Sequence, residues 1–149
     1  MRWTTRDHWH VTLRFFGAAD PDAASSALAA MVAPVADAVL GPATRRLGRA
    51  VLVVPVAGLD AVAKAVTACT AQIVAAPEHR RFRGHLTLAR LTPATTGDRA
   101  GVADLVGVAV SGRFQVTEVT LVASHLGRGP ARYEVLDRFP LRREAVGST

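Results

Sequence analysis

Two short stretches of this sequence carry the same chemistry-bearing side chains in the same order. The motif His-x-Thr-Leu occurs at residues 10–13 and again at residues 85–88, and an arginine follows each copy, at Arg14 and at Arg90. Imidazole titrates near pH 6.5, so two histidines can hold opposite protonation states at neutral pH. One ring can then take a proton from an attacking oxygen while the other gives a proton to a leaving oxygen. The repeated pair therefore predicts acid–base catalysis on a group held between two imidazoles.

The side chains next to the histidines suit a phosphate group. The hydroxyls of Thr12 and Thr87 can donate hydrogen bonds to non-bridging oxygens, and the arginine guanidinium groups can neutralise their charge. An in-line displacement at phosphorus needs its two proton carriers on opposite sides of the phosphate. Neither a metal ion nor another cofactor is required, because the two histidines carry the protons.

A metal site is the main alternative use of these histidines. His8 and His10 lie two residues apart on one predicted strand face, which is also a spacing of metal ligands. A third ligand would be needed, and Asp7 has the wrong parity for it. His79 or His125 would have to fold back from distant loops, so the sequence favours catalysis over metal binding.

Both motifs are predicted to lie on strands, because polar and apolar side chains alternate along residues 9–16 and 85–91. Strand parity puts Arg14 on the face of His10. Arg90 has the wrong parity for His85, so it must reach the site from the strand end or past a β-bulge. We predict two similar half-structures, each of which contributes one motif to a shared groove.

The rest of the chain alternates between helix and strand signals. Asp20 and Pro21 begin a helix whose apolar spacing continues to Val39, although Pro34 should kink or shorten it. A bulge near Thr117 would reconcile two registers of the penultimate strand. The remaining predicted elements are one or two strands at 44–56 with a bulge or a turn at Gly48, a second helix from Asp60, a weaker helix over 98–106, strands near 113–123 and 132–139, and a frayed tail at 145–149.

Composition narrows the class of protein. The chain has 149 residues, which is one domain's worth, and half of them are hydrophobic. The longest uncharged stretch, residues 23–36, is shorter than the about 20 residues of a membrane-spanning helix, and no secretory signal is present. The single cysteine, Cys69, excludes an internal disulfide and fits a cytoplasmic location. The formal charge of +6, almost all of it from arginine, fits either a polyanionic partner or a composition bias toward arginine and alanine.

With these motifs the sequence resembles the two-histidine phosphoesterases, in particular the LigT-like branch of bacterial and archaeal RNA 2′,3′-cyclic phosphodiesterases first described as 2′-5′ RNA ligases. Residues 10–17 look like the family's first motif block, and residues 82–90 look like its second. Residues 119–124, Tyr133 and residues 139–141 are similar to its closing strands. The resemblance covers nearly the whole chain.

The resemblance implies a bilobal α+β fold over residues 1–149, with two antiparallel sheets and outer helices around a central groove. The site residues that it implies are the catalytic pair His10 and His85 and the substrate-binding residues Thr12, Thr87, Arg90 and Arg14. The implied reaction is the metal-independent hydrolysis of a 2′,3′-cyclic phosphate, on RNA ends or small cyclic nucleotides, to a 2′-phosphate. The alternatives are the reverse ligation and an RNA-binding module impaired by truncation. No membrane and no protein partner is predicted.

The sequence departs from the family at two places. Only nine residues precede His10, whereas family members usually carry a strand and a helix there. We therefore expect the fold to lack that first strand and helix, through either a late start assignment or a real truncation. Gly84 stands where the family usually has proline, which should loosen the approach to His85.

Overall fold

A computed structural model describes residues 1–74, 80–91, 103–129 and 131–143. The predictions for His79, for residues 98–102 of the weaker helix and for the tail at 145–149 lie outside these ranges. No helix in the described ranges is long and apolar enough to cross a membrane.

The described residues form an α+β fold with antiparallel sheets. The strands are β1 (Arg2–Trp3), β2 (Ala36–Leu40), β3 (Arg45–Leu47), β4 (Val51–Ala57), β5 (His85–Arg90), β6 (Gly112–Val116), β7 (Glu118–His125) and β8 (Arg132–Pro140), and the helices are α1 (Pro21–Ala29), α2 (Asp60–Cys69) and a 3-10 turn at Arg6–His8. Six strands form one sheet in the order β1-β5-β4-β2-β6, with β3 also paired to β4, and β7 pairs with β8 in a second sheet.

The chain divides into two compact units. Unit 1 comprises residues 1–12, 38–59 and 82–114, and unit 2 comprises residues 13–37, 60–81 and 115–149. The chain passes alternately through these two units, and the prediction of a single bilobal domain over residues 1–149 stays a prediction.

Unit 1 is built on β4 and β5. One face of these strands is buried, with Leu52, Val54 and Ala89 each at most 3% exposed. The hairpin from β3 to β4 turns at Gly48, whose φ of 58° lies in the left-handed region that glycine adopts without a Cβ clash. The predicted turn inside residues 44–56 is therefore confirmed, and it holds β4 in the middle of the sheet.

Unit 2 packs α1 and α2 with the β7–β8 pair around a hydrophobic cluster. Its buried members are Ala24, Leu28, Met31, Ala33, Val62, Val66, Val119, Leu121, Phe139 and Leu141. Asp20 caps α1 as predicted, since its side chain accepts a hydrogen bond from the Asp22 amide at 3.2 Å. This unit contains both α-helices of the described ranges.

Two predicted elements differ in the structure: one helix is shorter than predicted, and one strand is divided in two. Helix α1 stops at Ala29, and residues 36–40 form β2 instead of continuing the helix to Val39. Pro34 explains the change, because proline disfavours helical conformation in the residue before it and removes a backbone donor. At Thr117 the chain does not bulge within one strand: it separates β6 from β7, which belong to different sheets.

Candidate active site

Strand β5 carries the second motif, as predicted. It pairs along its length with β4, where His85 faces Pro55 and Thr87 faces Val53. Direct cross-strand partners share a sheet face, so both side chains lie on the face of Val53 and Pro55. His85 and Thr87 are half-buried there.

The first motif is not on a continuous strand, so the predicted strand over residues 9–16 is wrong. Residues 2–3 take the outer edge of β5 first, and the Thr4 amide donates to the Leu88 carbonyl at 2.8 Å. The chain then turns through the 3-10 helix and returns to that edge at a single bridge, between Val11 and Leu86. Because β1 already occupies the C-terminal end of β5, only its first residues remain for the motif.

The bridge brings the two motifs together within unit 1. The pairing of Val11 with Leu86 is antiparallel, so His10 lies opposite Thr87 and Thr12 lies opposite His85. Alternation on either side of the bridge assigns His10 and Thr12 to the face of His85 and Thr87. The prediction that each half-structure contributes one motif is therefore wrong: neighbouring segments of one sheet carry both.

Both imidazoles are held in the same way. Nδ1 of His10 lies 2.7 Å from the carbonyl oxygen of His8, and Nδ1 of His85 lies 2.8 Å from that of Arg83. A carbonyl oxygen only accepts hydrogen bonds, so each ring carries its proton on Nδ1. In the neutral state each then presents a lone pair on Nε2, and in the cationic state an N–H. The two rings are thus matched in tautomer and in orientation by their own local backbone.

A β-bulge resolves the parity of Arg90. Across the β4–β5 pair, Leu52 faces Ala89 while the next residue, Val53, faces Thr87, which leaves Leu88 without an opposite partner. One extra residue reverses the alternation beyond it. Arg90 pairs with Val51 and therefore lies on the face of Thr87 and His85, as the bulge alternative predicted.

Arg14 lies in unit 2 and is bonded there. Its Nη1 donates to the Thr67 carbonyl and to the Thr70 hydroxyl, both at 2.8 Å, at the end of α2. A guanidinium at this position satisfies a terminal carbonyl and favours the helix dipole. Its Nε is buried and lacks a hydrogen-bond partner among the described residues. The contacts described for Arg14 are therefore structural, and its predicted role in substrate binding stays a prediction.

Gly84 is held tightly rather than loosely. A Cβ at this position would collide with the carbonyl oxygen of Val56, and the Val56 amide donates to the Gly84 carbonyl at 2.9 Å. Glycine therefore allows the backbone to approach β4 directly before His85. The expected loosening is not seen in this contact.

The formal charge is distributed unequally between the units. Unit 1 contains nine arginines and three aspartates and so carries a net charge of +6, whereas unit 2 contains nine basic and nine acidic residues and is neutral. The whole excess of positive charge lies in the unit that holds both His-x-Thr motifs.

Sequence reasoning missed two arginines on the face of the motifs. Arg2 is the cross-strand partner of Arg90, and Arg45 is the partner of Val53, which also faces Thr87. Only the strand register reveals this, because β1 and β3 are too short for alternation to be visible. The site face thus carries arginines from three strands.

The geometry bears on the metal alternative through the other histidines. The His8 carbonyl receives the His10 ring, and His125 lies in unit 2, where its Nε2 is 3.0 Å from a Glu134 carboxylate oxygen. Among the residues that the structure describes, no three side chains of the ligating types cluster together. The roles of the histidines as a catalytic pair and of the neighbouring donors in phosphate binding stay predictions.

Comparison with solved structures identifies the class of fold. E. coli LigT in complex with 3′-AMP matches with a TM-score of 0.71 and 25% identity over 95% of this chain and 82% of that one. A crystal structure described as a phosphoesterase matches with a TM-score of 0.73 and 26% identity over 95% and 82%. TT0787 of Thermus thermophilus matches with a TM-score of 0.73 and 23% identity over 97% and 84%. No family model and no curated protein matches the chain.

The chain has the α+β fold of the LigT-type two-histidine phosphoesterases. The resemblance that the two motifs indicated is therefore confirmed. This likeness, together with the paired motifs, supports a phosphoesterase activity in general.

Proposed function

We propose that this chain is an RNA 2′,3′-cyclic phosphodiesterase that opens a terminal cyclic phosphate to a 2′-phosphate without a metal ion. The observation that carries the proposal is the bridge between Val11 and Leu86, which sets the two motifs side by side on one sheet face. The proposal includes a cytoplasmic location, supported by the lone Cys69.

The register suits the placement of two rings around one phosphorus. His10 is opposite Thr87, so His10 and His85 are diagonal neighbours, which are about 7–8 Å apart in regular sheets. One Nε2 takes a proton from water as the water oxygen bonds to phosphorus. The bond from phosphorus to O3′ breaks, and the other ring gives its Nε2 proton to that oxygen. After the turnover the two rings have exchanged protonation states.

The neighbouring side chains suit the non-bridging oxygens. Each threonine lies opposite the histidine of the other motif, so its hydroxyl can donate to a phosphate held between the rings. The bulge places Arg90 on the same face, where its guanidinium can stabilise the charge that develops in the transition state.

The comparisons support the class of substrate. E. coli LigT has been crystallised with 3′-AMP and with phosphate, and with ATP and NADP+ as well. A site that accepts nucleotides in a protein of the same fold is consistent with RNA ends or small cyclic nucleotides as substrates here.

The deciding experiment is incubation with an RNA oligonucleotide that ends in a 2′,3′-cyclic phosphate, followed by ³¹P NMR of the monoester. We expect a 2′-phosphate, with a rate unchanged by a chelator. A 3′-phosphate would reverse the assignment of the leaving oxygen, and loss of activity on chelation would favour the metal site. Addition of a 5′-hydroxyl oligonucleotide to the same mixture tests for ligation. RNA binding without turnover, unaffected by replacement of either histidine, would support the binding module instead.

A further inference from the structure

Arg2 and Arg45 lie on the site face but belong to neither motif. Arg2 is directly opposite Arg90, and Arg45 faces Val53 on the far side of β4. All three arginines are exposed to solvent. The strand register therefore places arginines from β1, β5 and β3 on the face of the proposed phosphate position, and Arg2 and Arg45 lie on strands that carry neither motif.

This surface holds like charges at close range. Direct cross-strand partners have Cβ atoms about 4.5–5.5 Å apart, and like charges in such a pair destabilise a sheet. Within the described residues, no carboxylate pairs with these three arginines. A bound polyanion would relieve the repulsion between Arg2 and Arg90.

The terminal phosphate alone supplies too little charge. A 2′,3′-cyclic phosphate is a diester with a single negative charge, whereas the surface carries three guanidinium groups. Arg45 is also two strand spacings from β5, about 9–10 Å across the sheet, so it is well placed for a second phosphate. Because the cyclic group ends the RNA chain, every other phosphate lies on its 5′ side.

We infer that Arg2 and Arg45 bind backbone phosphates on the 5′ side of the cyclic end, so that the enzyme prefers an oligonucleotide end to a cyclic mononucleotide. The inference rests on the proposed function for the position of the terminal phosphate. It also accounts for the location of the net charge of +6 in unit 1, because single-stranded RNA is held by its backbone charge.

Arg46 provides a matched control. It follows Arg45 on β3 but pairs with Leu52, so it lies on the opposite face of the sheet. Its Nε and Nη2 donate to the Arg49 carbonyl at 3.1 and 2.6 Å. Arg46→Gln therefore removes the same charge from the same strand without altering the site face.

The test compares two substrates. We would measure kcat/KM for 2′,3′-cyclic AMP and for an RNA oligonucleotide with a cyclic end, in the wild type, Arg2→Gln, Arg45→Gln and Arg46→Gln. For the oligonucleotide we expect a loss of about threefold to tenfold in Arg2→Gln and in Arg45→Gln, as for one hydrogen bond of ordinary net strength on an exposed surface. For 2′,3′-cyclic AMP, kcat/KM of these two variants should stay within about twofold of the wild-type value. Arg46→Gln should change kcat/KM for neither substrate. Equal losses on both substrates, or no loss on the oligonucleotide, would overturn the inference.

Equilibrium binding separates this inference from the proposed function. For single strands, the slope of log K against log salt concentration falls by about 0.7 for each phosphate that the protein no longer neutralises. We would measure this slope by fluorescence anisotropy with an oligonucleotide that ends in a 3′-phosphate. If the wild type turned over neither substrate, the proposed function would fail, and unchanged slopes in Arg2→Gln and Arg45→Gln would still refute the inference. Thermal melts verify folding, and either variant alone suffices for the comparison.

Discussion

The two units of this protein handle charge and packing in different ways. In unit 1 the basic residues outnumber the acidic ones by six, and the sheet surface that carries the histidines also carries exposed arginines. In unit 2 the charges balance, and it contains an ion pair between Arg138 and Glu118 and a close contact between His125 and Glu134. Unit 2 also contains the hydrophobic cluster between its helices and the β7–β8 pair.

This difference suggests that unit 1 binds the substrate and that unit 2 contributes mainly to stability. Cations on one surface repel each other, so their excess in one unit is consistent with the anionic ligand proposed for it. Charges that already have partners contribute little to binding. We therefore expect substitutions on the site face of unit 1 to change turnover and substitutions in unit 2 to change stability.

The largest effect should come from the histidines. His10→Ala and His85→Ala should each lower kcat/KM on a cyclic-phosphate substrate by about 100-fold to 10,000-fold, the range for loss of a general acid or base. The melting temperature should change little, since His10 is exposed and His85 is half-buried. Steady-state kinetics and calorimetry check both statements, and activity retained in either variant would refute the catalytic pair.

Next in size is the effect of removing a core side chain from unit 2. Leu28 is 4% exposed in the hydrophobic cluster, so Leu28→Ala should lower the free energy of unfolding by about 2–5 kcal/mol. Urea denaturation measures the loss. Well below the melting temperature, kcat/KM should remain within about twofold of the wild type, and a larger drop would show that the units are not functionally separate.

A third prediction compares one arginine from each unit. Arg90→Gln should lower kcat/KM by about 10- to 100-fold, because a charged donor to the phosphate is removed. Arg138 bonds Glu118 at 2.7 Å on an exposed surface, so Arg138→Gln should alter stability by at most about 1 kcal/mol and leave kcat/KM unchanged. Equal kinetic losses in the two variants would contradict the contrast between the units.

Arg14 tests the boundary of this comparison. Arg14→Gln removes the donors to Thr67 and Thr70 and should lower the free energy of unfolding by about 1–3 kcal/mol, with little change in kcat/KM. Chemical denaturation and kinetics on the same preparation decide the matter. A kinetic loss at unchanged stability would instead favour the substrate-binding role that the family resemblance implies.

The smallest expected effect is a dependence on pH in unit 2. The Ser25 hydroxyl, 2.6 Å from a carboxylate oxygen of Asp137, lowers the pKa of that group below its ordinary 3.8, and the Arg138 amide acts in the same direction. A lowered pKa stabilises the fold above the unfolded-state value, and this stabilisation is lost as pH falls through the folded-state value. Ser25→Ala should therefore lower the melting temperature slightly at neutral pH, and the difference should shrink on acidification. A difference that grows in acid would refute this assignment.

Local sequence patterns predicted much of the site but not its setting. The alternation of polar and apolar side chains correctly predicted that the second motif lies on a strand. The odd spacing between His85 and Arg90 also suggested a β-bulge between them. The position of the first motif depends on which chain segment pairs with the edge of β5. Residues 2–3 pair with part of that edge, and the sequence of residues 9–16 does not indicate this. Arg2 and Arg45 stayed hidden for the same reason, since their place on the face is set by pairing partners far along the chain.

Helix ends show the same limit of local signals. The cap at Asp20 was predicted because it depends on two neighbouring residues. The apolar residues after Ala29 continue the helical spacing in the sequence, but in the structure they lie in a loop and in β2. Apolar spacing alone does not show whether such residues are helical, whereas Pro34 indicates that the helix ends before it.

The extra residue at Leu88 makes the interval between His85 and Arg90 odd. On a regular strand, two side chains that act on one ligand must be separated by an even number of positions, so an odd interval records an irregularity of the strand between them. Loss of the extra residue would remove the bulge and leave an interval of four, which on a regular strand keeps the guanidinium on the face of the histidine. Homologous sequences can therefore be sorted by this interval, because an odd count predicts a bulged strand and an even count predicts a regular one, and both offer the arginine to the phosphate.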